Sequence, residues 1–355
     1  MAKTVMTIKS LILGSLLVGL VSCAPTNHEA QNSAQEENNG VVNIYSSRHY
    51  DTDLRLYSDF TDQTGIRVNR IEAKSNALLE RIKSEGDLSP ADLLITVDAG
   101  VFWRAEQDEI LQPVSSDILE RRVPSHLRHP QGLWYGLSKR ARVMIYNKDK
   151  GRPEGLETYE DLSEPAHNNS VCMRSSGNIY NISLLSSIIA NDGSEKAKAW
   201  AQGMVSNFAR KAQSNDSGQI EAVAAGICKA SLVNTYYLAR YARSDEPQKQ
   251  EIFKSLGIIF PNQSGRGTHI NISGAGLTRH APNPENALRF LEYLTSESAQ
   301  RYFANGNNEY PIVDLGSGSS AVQALGTFKE DQLNVGELGK NQSQAIAIYN
   351  EAGWP

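Results

Sequence analysis

Apolar residues recur along the chain at two spacings, every second position in short runs and every third or fourth position in longer ones. The first spacing predicts β-strands and the second predicts amphipathic α-helices. Predicted strands cover residues 41–47, 66–71, 91–96, 141–146 and 230–234, and predicted helices cover residues 52–63, 220–225 and 284–303. Ser75 is predicted to cap a further helix. Strands that alternate with helices through short connections indicate an α/β fold.

The start of the chain follows a different pattern. Lys3 and Lys9 precede an apolar run over residues 11–21. A basic start followed by an apolar run shorter than the ~18 residues of a membrane span is typical of a secretory signal peptide. We therefore expect the chain to be exported, so that its folded part faces the periplasm.

The end of this run carries a candidate lipidation site. The sequence Leu20-Val21-Ser22-Cys23 resembles a bacterial lipobox. It implies a lipoprotein signal peptide over residues 1–22 and a lipidated Cys23 that tethers the mature chain to a membrane. A plain signal peptide with an incidental cysteine is the alternative. Residues 23–40 are interpreted as a flexible tether, because residues 24–40 have no aliphatic side chain larger than alanine.

Composition and motifs exclude several classes of function. The chain has 355 residues, which suggests two domains, and a net charge of -5 with no basic block, which gives no footprint for nucleic acid. It contains no phosphate-binding loop, no G-x-S-x-G elbow and no H-E-x-x-H motif. Its histidines do not cluster at zinc spacing.

Two cysteines remain in the folded part, Cys172 and Cys228. Outside the cytoplasm a pair of thiols tends to form a disulfide. Each cysteine lies eight residues before a tyrosine, Tyr180 and Tyr236 respectively, so two neighbouring parallel strands could carry the cysteines at similar heights. We hypothesise a disulfide, and two free buried thiols are the alternative.

Several tyrosines follow predicted strands, at the edge of the sheet where open α/β proteins bind ligands. Tyr236 and Tyr237 follow the last predicted strand, and Tyr50 lies just past the first one, beside His49. Tyr180 follows a polar turn that opens a helix. Packing in the core or at its rim can explain any one of these rings, but it explains all of them together less well.

Phenolate oxygen suits a small, highly charged cation. Ferric iron is acidic enough to displace a phenol proton whose free pKa is near ~10. His49 would add a neutral nitrogen. Softer or divalent metals call for Cys/His sets or carboxylate cages, which the sequence does not contain in recognisable form. Asp51 and Asp53 could belong to a cation site, but carboxylates at a helix N-terminus more commonly interact with the helix dipole.

Five segments together resemble the ferric-iron-binding proteins of ABC transporters, and most closely their cyanobacterial ferric-uptake branch. These segments are Ser46-Ser47-Arg48-His49-Tyr50, Arg174-Ser175-Ser176-Gly177-Asn178-Ile179-Tyr180-Asn181, Asn234-Thr235-Tyr236-Tyr237, Asn271-Ile272-Ser273-Gly274-Ala275-Gly276 and Asn308-Glu309-Tyr310-Pro311. The similarity runs through residues 41–355 in the same order.

The resemblance implies a set of site residues. The implied ligands are His49 and Tyr50 from a first lobe and Tyr180, Tyr236 and Tyr237 from a second. Arginines behind the ligands could offset the phenolate charge, and surface or interlobe salt bridges are the alternative role for them. These arginines are Arg48, Arg140 and Arg240. Relatives differ in whether histidine, water or an anion such as carbonate or citrate completes the coordination shell of the iron.

The resemblance also implies the fold and the function. The expected fold is the two-lobed class II periplasmic binding protein fold, with iron in the interlobe cleft. The expected bounds are residues 41–138 and 267–313 for lobe 1 and residues 139–266 and 314–355 for lobe 2. A monomer of this kind would capture Fe(III), close around it and deliver it to an inner-membrane ABC permease, without acting as an enzyme.

Three other functions are compatible with parts of the pattern. A binder of an oxyanion or polyamine could use the same fold, with Arg48 and the turn before Tyr180 holding an anion. A hydrolase could use His49 as a base, although no nucleophile or orienting carboxylate stands at recognisable spacing. Protection of a membrane complex under iron stress, proposed for some relatives, is compatible with iron binding.

Overall fold

The computed structural model describes residues 40–48, 50–316 and 320–355. The predicted signal peptide, the candidate lipidation site Cys23, nearly all of the predicted tether and the candidate ligand His49 lie outside the described residues. Within those residues, no helix combines the length and the apolar character that crossing a bilayer requires.

Short strands and helices alternate through the described residues, as the apolar spacing predicts. The strands are β1 (Val41–Ser46), β2 (Arg67–Glu72), β3 (Leu93–Thr96), β4 (Tyr135–Asn147), β5 (Val171–Cys172), β6 (Ala230–Asn234), β7 (Leu256–Ile259), β8 (Ile270–Leu277) and β9 (Tyr310–Pro311). The helices are α1 (Asp51–Thr64), α2 (Ser75–Glu85), α3 (Ala99–Gln107), α4 (Asp117–Arg122), α5 (Ile179–Asp192), α6 (Ser194–Ser206), α7 (Asp216–Ala224), α8 (Thr235–Ala242), α9 (Pro247–Ser255), α10 (Pro284–Leu294), α11 (Glu297–Gly306), α12 (Gly336–Lys340) and α13 (Gln342–Ala352). The prediction of an α/β fold is confirmed.

Strand β4 connects two parts of the sheet. The strand order is β2-β1-β3-β8-β4-β6-β5, and β7 and β9 also pair with β4. Tyr135 to Ala141 of β4 pair antiparallel with β8, whereas Arg142 to Tyr146 pair antiparallel with β6. The change of partner falls between Ala141 and Arg142, so one continuous strand passes from the first part of the sheet to the second.

Each part of the sheet has its own layer of helices and its own aromatic contacts. In the first part, Phe60 of α1 packs against Phe290 of α10 with ring centroids 4.8 Å apart. In the second part, Trp200 of α6 and Trp354 after α13 pack with centroids 5.8 Å apart. All four side chains are buried, so each part of the sheet has a buried aromatic contact within its own helix layer.

The prediction of one helix over residues 284–303 is wrong, because α10 and α11 are separate helices. Thr295 ends α10, and its hydroxyl donates to the carbonyl of Glu292 at 2.8 Å. Ser296 then caps α11 by accepting from the backbone N–H of Ala299 at 3.4 Å. Two hydroxyl side chains in succession compete for backbone groups and divide the apolar stripe.

The predicted cap at Ser75 is also wrong. Lys74 occupies the N-cap position of α2 without a side-chain hydrogen bond, and Ser75 is the first residue of the helix. The Ser75 hydroxyl lies 3.3 Å from the hydroxyl of Thr96 at the end of β3. A tertiary contact therefore takes the place of the local cap.

A disulfide joins Cys172 and Cys228, whose Cα atoms lie 5.7 Å apart. Cys172 ends β5, and Cys228 precedes β6, which is the parallel neighbour of β5. The hypothesis of a disulfide between neighbouring parallel strands is confirmed. The bond ties together the two strands that lead toward Tyr180 and Tyr236.

Candidate functional site

Four tyrosines and three arginines from distant parts of the sequence meet at one cavity of about 240 Å³. We call it the tyrosine cavity, and its lining residues are Ser47, Arg48, Tyr50, Val97, Arg140, Tyr180, Tyr236, Tyr237, Arg240 and Glu309. Every described residue that the sequence singles out as a ligand, and every arginine singled out as its partner, therefore lies at this cavity.

Tyr50 reaches the cavity from the junction between β1 and α1. It occupies the N-cap position of α1 with extended backbone, at φ -95° and ψ 129°. The guanidinium carbon of Arg48 lies 4.9 Å from the centroid of the Tyr50 ring. Tyr50 therefore lies where the chain changes from strand β1 to helix α1.

Tyr180 and Tyr236 reach the same cavity from the starts of two other helices. Asn178 caps α5, and its side-chain oxygen accepts from the backbone N–H of Tyr180 at 3.1 Å. Tyr236 lies in the first turn of α8, directly after β6. Its hydroxyl donates to the hydroxyl of Tyr180 at 3.2 Å. The two phenol oxygens are therefore close enough to bind one small ion.

Tyr237 adds a third phenol from the second part of the sheet. Its ring lies 4.4 Å from the ring of Tyr236 between centroids, at 31° between the ring planes. Arg240 follows one helical turn later, with its guanidinium carbon 5.1 Å from the ring centroid of Tyr236 and 5.7 Å from that of Tyr237. The same carbon lies 5.6 Å from the ring centroid of Tyr50, so Arg240 spans the cavity.

The chain's family can be read from comparisons with known proteins. Residues 89–326 match the family model described as bacterial extracellular solute-binding protein. The chain belongs to this family. Iron uptake protein A1 of Synechocystis is 48% identical over 345 residues, which cover 97% of this chain and 95% of the relative.

Solved structures give the same result. A Trichodesmium protein solved in complex with iron and citrate is 52% identical, with a TM-score of 0.86 over 89% of this chain and 100% of that chain. The ferric binding protein of Campylobacter jejuni is 41% identical, with a TM-score of 0.82 over 88% of this chain and 100% of that chain. The predicted resemblance to ferric-binding proteins and the predicted two-lobed binding-protein fold are confirmed.

These comparisons also bear on activity and location. The relatives are solute-binding proteins, so this chain is a binding protein rather than an enzyme. Membership of an extracellular family agrees with the export that the N-terminal pattern predicts.

Arg140 and Arg48 of this solute-binding protein are buried beside the tyrosines. The guanidinium carbon of Arg140 lies 5.4 Å from the Tyr180 ring centroid, and its Nη2 donates to the carbonyl of Val97. Arg48 forms buried ion pairs with Asp53 at 2.9 Å and Glu309 at 3.0 Å. Arg48 thus lines the cavity and also forms salt bridges, but these are buried rather than at the surface.

Glu309 is a cavity residue to which the sequence assigned no role. It lies just before β9, is 2% exposed, and accepts from the hydroxyls of Ser138 at 2.6 Å and Ser273 at 3.3 Å. Burial alone would raise the pKa of the Glu309 carboxyl, but Arg48 and Arg140 outweigh it and lower that pKa. Glu309 is therefore an anion at neutral pH. Glu309 belongs to the segment Asn308-Glu309-Tyr310-Pro311, which resembles the ferric-binding proteins. Its partners Ser138 and Ser273 come from β4 and β8, so the local sequence could not indicate them.

The phenols of Tyr50, Tyr180 and Tyr236 are protonated at neutral pH. Burial, assisted by the charge of Glu309, raises the pKa of Tyr50 to about 12, although Arg48 and Arg240 act against the rise. Burial also raises the pKa of Tyr180 and of Tyr236. A cation that binds these oxygens as phenolates must therefore displace protons.

Asp53 has a partner other than a metal. Besides the ion pair with Arg48, it accepts from the side-chain amide of Asn307 at 2.9 Å. Among the residues that the structure describes, no group of three or more His, Cys, Asp or Glu side chains is arranged to hold a metal ion. Among the described residues, Asp51 and Asp53 therefore belong to no such group, and the tyrosine cavity is the candidate that these residues support.

Proposed function

We propose that this protein captures Fe(III) with the phenolate oxygens of Tyr50, Tyr180, Tyr236 and Tyr237 and delivers it to an ABC permease. The convergence of these four phenols on one cavity carries the proposal. The iron uptake protein of Synechocystis and the iron-and-citrate complex of Trichodesmium support it, because both resemble this chain over most of its length.

Charge balance supports ferric iron as the cargo. Four phenolates around Fe(III) leave one net negative charge at the site, and buried charge requires nearby compensation. Arg48 is already paired with Asp53 and Glu309, whereas Arg140 and Arg240 lie against the tyrosine rings. These two arginines can offset the negative charge that develops when the phenols lose their protons.

Capture is proposed to close a cleft between two lobes. We assign residues 41–138 and 267–313 to lobe 1 and residues 139–266 and 314–355 to lobe 2. The partner change of β4 after Ala141, close to this boundary, supports the assignment. Iron that bridges phenols from both lobes would bind the closed state better than the open one and so shift the population toward it.

An anion or His49 is proposed to complete the iron shell. The Trichodesmium relative was solved with iron and citrate, and Arg240 faces the cavity where a carboxylate could approach. Citrate or carbonate is therefore the proposed co-ligand, and His49 is the alternative donor.

Delivery is proposed to occur at the outer face of the inner membrane. The monomeric protein, tethered through lipidated Cys23, would present its closed form to the permease, which opens it and takes the iron. Membership of the extracellular solute-binding family supports this arrangement.

Oxyanion binding is the second candidate function. Three arginines and one carboxylate line the cavity, a net positive charge that favours an anion over a polyamine. If Fe(III) does not bind, an oxyanion held by Arg140 and Arg240 is the function to test next.

An absorption titration with ferric citrate tests the proposal. We expect a visible tyrosinate-to-iron band that saturates near one iron per chain and is lost in a Tyr236→Phe/Tyr237→Phe double variant. Tyr241→Phe is the matched control, since Tyr241 also lies on α8 but donates to Glu221 at 2.8 Å and does not line the cavity. Absence of a band, together with no thermal stabilisation by iron, would reject the ferric proposal.

A further inference from the structure

We propose that Arg142 is a positioning residue that fixes the Tyr180 and Tyr236 phenols at one mutual distance, and this inference rests on the proposed iron site. Arg142 does not line the tyrosine cavity. It acts through the starts of the two helices that carry these tyrosines.

The two arms of the Arg142 guanidinium reach two different helix starts. Its Nη2 donates to the side-chain oxygen of Asn181 at 2.8 Å, and its Nη1 donates to the side-chain oxygen of Asn234 at 3.1 Å. Asn181 directly follows Tyr180 on α5, and Asn234 ends β6 two residues before Tyr236. One planar, rigid fork thus joins the two chain segments that aim the phenols.

The Asn181 arm also holds the turn before Tyr180. The side-chain nitrogen of Asn181 donates to the backbone carbonyls of Arg174 at 3.0 Å and Ser175 at 3.2 Å. Both of its polar ends are therefore used, one for the turn and one for Arg142. A shift of the Arg142 fork would be passed to the polar turn and to the first residues of α5.

Asp216 closes the network on the other side. Its Oδ2 accepts from the backbone N–H of Asn234 at 2.9 Å and lies 3.5 Å from Nη1 of Arg142. Its Oδ1 accepts from Arg174 at 3.0 Å, and the guanidinium carbon of Arg174 lies 5.4 Å from the Tyr180 ring centroid. The buried network therefore contacts the Tyr180 ring through Arg174 and makes hydrogen bonds at the starts of both α5 and α8.

The network is not arranged for stability alone. Within the described residues, Nε of Arg142, Nε of Arg174 and the side-chain nitrogen of Asn234 are buried without a hydrogen-bond partner. Buried ion pairs with unsatisfied groups are often replaced by apolar packing at no loss of stability. The geometry therefore points to a positional role, in which the fork directs two helix starts at the expense of unsatisfied donors.

Arg142→Lys tests this role because lysine keeps the charge but cannot donate in two fixed directions. Arg266→Lys is the matched control: Arg266 bridges Glu160 at 2.6 Å and Asp192 at 2.8 Å and does not line the tyrosine cavity. Each full-length protein is loaded with ferric citrate, and three quantities are measured. They are the release of iron to excess chelator, the maximum of the visible band, and the midpoint of thermal unfolding without iron.

We expect Arg142→Lys to release iron at least tenfold faster and to shift the band, whereas Arg266→Lys stays within twofold of the unchanged protein. Release within twofold for Arg142→Lys would overturn the proposal. So would equal acceleration in both variants, because that would reflect a general loss of stability.

A second variant keeps the test decisive if Arg142→Lys does not fold. Asn181→Ala removes one arm of the fork, and we expect faster release and a shifted band from it alone. A folded Asn181→Ala protein with unchanged release and band would overturn the proposal. If the unchanged protein itself shows no visible band, the proposed function fails, which is a separate outcome from failure of the positioning role.

Discussion

At the level of single residues, replacing the Glu309 carboxylate is expected to lower stability without weakening iron binding. Glu309→Gln leaves Arg48 and Arg140 without their shared anion and should lower the free energy of unfolding by about 1–3 kcal/mol. The charge of Glu309 contributes to the raised pKa of Tyr50, so the amide should leave iron binding at pH 6 at least as tight. Urea unfolding and iron titration measure the two effects.

Glu330→Gln is the control for this prediction, since Glu330 lies between His126 at 3.1 Å and Lys139 at 2.7 Å and does not line the tyrosine cavity. It should change stability without changing iron binding at pH 6. Weaker iron binding in Glu309→Gln than in Glu330→Gln would contradict the expected sign.

His269 should make the fold sensitive to acid. Burial, together with the charges of Arg142, Arg140 and Arg266, lowers the pKa of His269 to about 3. The unfolded chain binds a proton at this histidine below pH ~6.5, whereas the folded chain stays neutral until about pH 3. Stability should therefore fall as the pH drops from ~6.5 toward 3, by up to about 1.4 kcal/mol per pH unit from this group.

Urea unfolding at several pH values checks the His269 prediction. His269→Gln should reduce the slope of stability against pH between 6.5 and 4, whereas His280→Gln, at an exposed histidine, should leave the slope unchanged. Equal slopes in His269→Gln and the unchanged protein would show that other groups dominate acid unfolding.

At the level of elements, the disulfide should stabilise the fold without being needed for iron binding. It joins residues 56 apart in sequence, so the chain-entropy model gives about 4 kcal/mol of stabilisation. Cys172→Ser/Cys228→Ser should therefore unfold at lower urea concentration but still bind iron, because hydrogen bonds also fix the helix starts that carry Tyr180 and Tyr236.

The mass with and without reductant confirms the bond in the purified protein, and an absorption titration reports iron binding by the double serine variant. An unchanged urea midpoint would contradict the stabilising role. Loss of the visible band in a folded variant would mean that the disulfide itself orients the tyrosine-bearing helices.

Local pattern predicted some elements and missed others for identifiable reasons. Strand β6 has the predicted bounds because Ala230 to Asn234 form an uninterrupted buried run. Strand β4 begins at Tyr135, earlier than predicted. The prediction missed its first residues because Gly136, Ser138, Lys139 and Arg140 interrupt the apolar pattern there. Ser138 is buried there by its contact with Glu309, a partner 171 residues away that no local pattern can reveal.

The candidate site likewise contains residues that local pattern predicted and residues that it missed. Tyr50, Tyr180 and Tyr236 lie at strand ends or helix starts, as the local pattern predicted, and they meet at one cavity. The contacts of Glu309 and Arg142 could not be predicted from the sequence, since each residue has side-chain partners from distant segments.

At the scale of the whole molecule, two connections limit how the proposed lobes can move. Strand β4 runs through both parts of the sheet, and α12 packs against both α3 and α5. A Cβ at Gly339 of α12 would clash with Trp103 of α3, so the helices approach closely. Motion of one lobe against the other must therefore bend β4 and shift α12 relative to α3 or α5. This favours a hinge motion over a movement in which the lobes come fully apart.

Closure should depend on Tyr50 more than on any other phenol, because Tyr50 is the described tyrosine that the proposed lobe 1 contributes to the cavity. Tyr50→Phe and Tyr237→Phe each remove one phenolate, but only the first removes a phenolate that the proposed lobe 1 supplies. We expect both variants to keep a weakened visible band with ferric citrate. Small-angle X-ray scattering should show iron-induced compaction in Tyr237→Phe and not in Tyr50→Phe. Compaction in both would mean that closure does not require the Tyr50 phenolate, and that contacts such as Arg240 with Tyr50 are replaced by others.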